Sequence, residues 1–127
     1  MDLSPAAFRD AADVLDSALA GHREAVVDRL DAVVNQAGLG GAYDVAWCLA
    51  AAATGPDLAR GVWRLEFPGI ESATYEAKWV ARFISAYANA DPSTGAALMH
   101  AARADGHLTD CLLTLAGSAA ASLRHRA

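Results

Sequence analysis

Alanine fills about a quarter of this chain, while Val, Ile and Thr are sparse. Alanine loses no rotamer freedom in a helix and is the best helix former, so the fold class that follows is all-α. Gly and Pro then divide the chain into about six helical stretches. Ser4-Pro5 is an N-cap followed by an N1 proline. Behind it Phe8, Ala12, Leu15 and Leu19 recur at spacings of four and three, which predicts a buried face opposite Asp10, Asp13 and Asp16. Gly21 breaks this helix. Val26, Val27, Leu30, Val33 and Val34 mark a second, which ends before Gly38, and Tyr43, Trp47, Ala50 and Ala51 a third, stopped by Gly55-Pro56. A fourth runs from about Ser72 to Ala90. Asp91-Pro92 caps a fifth, which ends at the Asp105-Gly106 turn, and Leu108, Leu112, Leu115, Ala119 and Leu123 form the apolar row of the sixth.

Between the third and fourth helices, residues 55–71 read as an arm or linker. In Gly61–Gly69, Trp63, Leu65 and Phe67 alternate with Arg64 and Glu66, the period of an extended chain. A lone strand has no partner in a helical domain, so the expectation is an extended arm. The halves on either side of it are faintly alike, each ending in an Ala-rich helix with one cysteine, which admits two related three-helix units. At 127 residues with 54% hydrophobic and 20% charged residues, the chain suits a single compact domain, residues 1–127.

Charge narrows the partners. Residues 1–57 carry nine acids against three arginines, and an acidic half repels phosphate, which disfavours nucleic acid. No basic n-region opens the chain, and the longest uncharged run, Cys111 to Leu123, falls short of the roughly 20 residues that span a bilayer. The expected location is cytoplasmic, with Cys48 and Cys111 as free thiols. Arg outnumbers Lys nine to one, a bias that a GC-rich bacterial genome produces as readily as selection for guanidinium chemistry does.

The chemistry-bearing patterns are few. The aspartate ladder of the first helix reads as a solvated face. No Glu or Asp has a His three residues on, and His22, His100, His107 and His125 make no ligand pair at three or four residues, so no metal or cofactor is expected. His107 and Cys111, four apart, share a helix face, yet Cys111 falls on the apolar side and His107 at the cap, so no nucleophile is assigned.

Two function classes remain. The leading expectation is a non-enzymatic helical domain acting by contact with another protein or with itself as a homodimer, through Trp63, Leu65 and Phe67 on the arm. The alternative is a bundle that binds an apolar small molecule. Tyr75, Trp79, Phe83 and Tyr87 recur at every fourth position. Trp79, Phe83 and Tyr87 with Trp47 would line the pocket, and Glu76, inside the same arc, would supply its polar group. Aromatic rows at helical spacing are more often core than pocket.

Overall fold

The computed structural model describes residues 5–55 and 73–126; within them lie five helices and no strand. They are α1 (Pro5–Leu19), α2 (Arg23–Thr54), α3 (Tyr75–Ala88), α4 (Pro92–Ala104) and α5 (Leu108–Arg126). The all-α bundle expected from the sequence is the fold. The arm Gly61–Gly69, with Trp63, Leu65 and Phe67, lies outside the described residues.

Local chemistry sets the helix ends. Thr74 accepts a hydrogen bond from the Ala77 amide at the start of α3, and Asp91 does the same for Thr94 at the start of α4, where Pro92 occupies the first turn. Each oxygen satisfies an amide that has no carbonyl partner within its helix. Gly21, Gly55 and Gly106 stand at positive φ where α1, α2 and α4 end.

Gly38 accounts for the difference between six expected helices and five observed. Its φ of 69° and ψ of −166° are non-helical, yet α2 runs on across it as one kinked element. That backbone region is open essentially to glycine alone. The sequence therefore places this break correctly, and the two helices on either side of it are counted together as α2.

Helix α1 needs a correction. Its buried residues are Ala7, Ala11 and Val14, with Leu15 and Ala18 half-buried, whereas Phe8 is 57% exposed and Leu19 38%. The expected face built on Phe8, Ala12 and Leu19 is thus turned by about one residue step, roughly 100°. Ala7 and Ala11 present almost no bulk, so α1 lies close against its neighbours, and the larger Phe8 is left outside.

Helix α5 packs on α2, α1, α3 and α4 and makes its most extensive contact with α2. The core is continuous. Val26, Leu30, Val45 and Leu49 of α2 meet Cys111, Leu112 and Leu115 of α5, with Val14, Phe83 and Met99 closing the cluster. No polar or charged residue among those described is buried. Thr109 of α5 donates to Asp31 of α2, and Arg124 near the end of α5 donates to the carbonyls of Ala18 and Leu19. The last turn of α5 is thereby tied to the last turn of α1. No helix of the described residues is long and apolar enough to cross a membrane.

Candidate functional site

The aromatic row divides. Trp79 and Phe83 stack with centroids 4.8 Å apart, Trp47 meets Phe83 and Tyr87 edge to face at 5.9 and 5.2 Å, and Tyr43 joins at 5.5 Å from Trp47. Such offset and edge contacts are the preferred geometries of ring pairs. Trp79 donates its Nε1–H to the Leu98 carbonyl at 2.8 Å, and Tyr43 donates to the Pro92 carbonyl. The cluster thereby joins the second half of α2 to α3 and α4. It is tight where α4 meets it: a Cβ added at Gly95 would lie 3.0 Å from the Trp47 ring and 3.1 Å from the Tyr43 oxygen. Trp47, Trp79 and Phe83 are buried and Tyr87 half-buried, so the rings fill one another's space.

Tyr75 and Glu76 go elsewhere. Tyr75, one turn before Trp79, stacks on the His107 imidazole with centroids 4.3 Å apart, and its hydroxyl donates to Asp105 at 2.6 Å. That bond, first among the causes, pushes the phenol up to about 12. Glu76 stands in the first turn of α3, where a negative charge is favoured by the helix dipole. Its side chain faces an open groove of about 730 Å³ between the α1–α2 turn and α5. Of the five residues expected to bind a ligand, only Glu76 lines this groove.

The groove is built from small side chains and backbone. Ala18, Gly21 and Val26 form one wall, and Leu113, Ala116, Gly117 and Ala121 of α5 the other. Arg23 lies on the first wall, Glu76 and Asp110 across from it, and Thr114 and Ser118 add hydroxyls. Sequence reasoning singled out Glu76 but passed over the surface as a whole, because only the packing of α1 and α2 against α5 assembles its residues.

Glu76, His107 and Asp110 converge here from two helix starts. One ligand atom from each lies within 4.8 Å of the others. Asp110 occupies the first turn of α5, and His107 precedes that helix, its carbonyl accepting from the Cys111 amide. Cys111 points inward beneath them. Burial, then Glu76 and Asp110, push its thiol up to about 12, so it remains protonated and is no nucleophile at neutral pH. Burial likewise raises Cys48.

In comparisons with protein-family models, with curated proteins and with solved structures, no match to this chain was found.

Proposed function

We propose that this chain acts by contact, taking a segment of polypeptide, from another protein or from a second copy of itself, into the groove between the α1–α2 turn and α5. The observation that carries this reading is the groove. It is open along its length, and its walls combine small apolar residues with a few polar groups. Ala18, Gly21, Ala116, Gly117 and Ala121 let an incoming helix or strand approach closely, in the manner of helix-in-groove recognition. Arg23, Glu76 and Asp110 all line it, so a segment carrying both signs of charge finds partners of each sign.

The sequence offers a second contact element in Trp63, Leu65 and Phe67, which we retain as candidate partner-binding residues on the strength of their alternation alone. Rings of this type are favoured anchors in protein interfaces.

A photo-crosslinking residue placed at exposed, groove-lining Ala121 tests the proposal in the cells that make the protein. It should capture one defined polypeptide that the same probe at exposed Asn35 does not. Gly117→Trp should abolish capture, since Gly117 lines the groove and a Cβ built there meets nothing within 4 Å, so the added ring starts out into the groove. Equal capture from positions 121 and 35, or capture that survives Gly117→Trp, would refute the groove. Substituting Trp63, Leu65 and Phe67 with Ala in the same assay shows whether the arm contributes.

A further inference from the structure

The groove reading leaves one arrangement unexplained: two carboxylates and an imidazole that converge from separate helices. The dipole of each helix accounts for one acid in each first turn. It does not account for Glu76 and Asp110 meeting, nor for the imidazole between the chain ends that bring them together. Among the described residues the ion pair that forms is Arg29 with Asp13, far along the sequence from either carboxylate, and no cationic side chain pairs with Glu76 or Asp110. Two carboxylates at this distance repel unless a cation stands between them.

We propose that Glu76, His107 and Asp110 bind a divalent transition-metal ion, with open coordination positions facing the groove. The donor set decides the class of ion. One imidazole nitrogen with two carboxylate oxygens suits zinc and its first-row neighbours, whereas magnesium and calcium favour oxygen alone. Three protein ligands with a vacant fourth position is the pattern of zinc sites that bind an exchangeable group. Donors about 2.1 Å from a tetrahedral ion lie roughly 3.4 Å apart. The 4.8 Å limit observed here is wider, so binding draws the three side chains inward by rotation, Asp110 being the exposed one.

The imidazole is held for the task. Tyr75 stacks on His107, and the Tyr75 hydroxyl is anchored on Asp105 at 2.6 Å. Groups that fix a ligand's ring orientation raise metal affinity without touching the metal. Tyr75 and Asp105 are therefore positioning residues. Glu76 and Asp110 also line the groove, so an ion between them presents its free positions to whatever the groove takes, and a carboxylate or imidazole on that occupant would complete the shell. The inference goes beyond the contact reading and survives its failure, because metal binding is read on the protein alone.

The experiment is titration of the metal-free full-length chain with Zn²⁺ by calorimetry, with Co²⁺ as a spectroscopic probe of the ligand field. The expected result is one saturable site per chain, with cobalt bands of a four- or five-coordinate nitrogen–oxygen environment. His107→Ala and Asp110→Asn should each abolish saturable binding, while His100→Ala and His125→Ala should leave it unchanged. Tyr75→Leu, which removes the ring stacked on His107, should weaken it by about 10- to 100-fold, the usual effect of removing an orienting group, whereas Tyr75→Phe keeps that ring and should weaken it less. Asp110→Asn is close to isosteric at an exposed position, so it remains informative if His107→Ala fails to fold, as circular dichroism would show. No saturable binding to the wild type, or binding that persists in a folded Asp110→Asn protein, overturns the proposal.

Discussion

Cys111 lies one turn into α5 with no accessible surface, under two carboxylates that disfavour its ionised form. A thiolate there would lose its hydration and face like charge, so the proton stays on well beyond the ordinary value of 9.0. In the native protein Cys111 should not react with a thiol reagent at pH 8, and should react at once in denaturant; a thiol-disulfide exchange assay run both ways checks this. The same shift carries a stability prediction. The unfolded thiol ionises near 9 and the folded one near 12, so the unfolded chain holds fewer protons across that interval. The contribution is complete below pH 9 and is lost as pH climbs toward 12. Denaturant midpoints measured from pH 8 to 11 should fall, and should fall less in Cys111→Ala relative to its own value at pH 8.

At the scale of helices, three glycines respond to one added methyl group for three different reasons. Gly117→Ala should stabilise the fold by about 0.5–1 kcal/mol, because alanine has less backbone freedom to lose and its Cβ meets open space. Gly95→Ala should destabilise: wedging carbon against the Trp47 and Tyr43 rings costs roughly 1–3 kcal/mol, which outweighs a helix-propensity gain of about 1 kcal/mol or less. Gly38→Ala should cost about 1–3 kcal/mol through its dihedrals alone. Urea denaturation of the three variants orders them. These elements were legible in the sequence to unequal depth. Asp91-Pro92, Asp105-Gly106 and Gly55 act within a few residues of themselves, so helix ends could be read directly. The face of α1 could not, because burial of Ala7 over Phe8 is decided by how closely a neighbouring helix approaches. Glu76 was legible as an acid set in an apolar arc. His107 and Asp110 were not legible as its companions, since a search for ligands three or four apart sees one helix, and this trio spans two helices whose starts are brought together only by packing.

For the molecule as a whole, the bond from Arg124 to the Ala18 and Leu19 carbonyls joins the ends of α1 and α5, the two helices that contribute Ala18 and Ala121 to opposite walls of the groove. A cation at a helix C-terminus contributes about 0.3–1 kcal/mol. Arg124→Ala should therefore lower thermal stability only slightly while loosening the groove, so that capture from position 121 drops more than the melting temperature implies. If the occupant is a second copy of the chain, sedimentation at rising concentration should show a dimer in the wild type and a monomer in Gly117→Trp. The same closure has a temporal side. Ala18, Gly21, Arg23 and Val26 leave the ribosome before α5, the helix that supplies the wall facing them. The groove thus has one side until residues 108–126 have emerged. A polypeptide stalled before α5 exposes half a site.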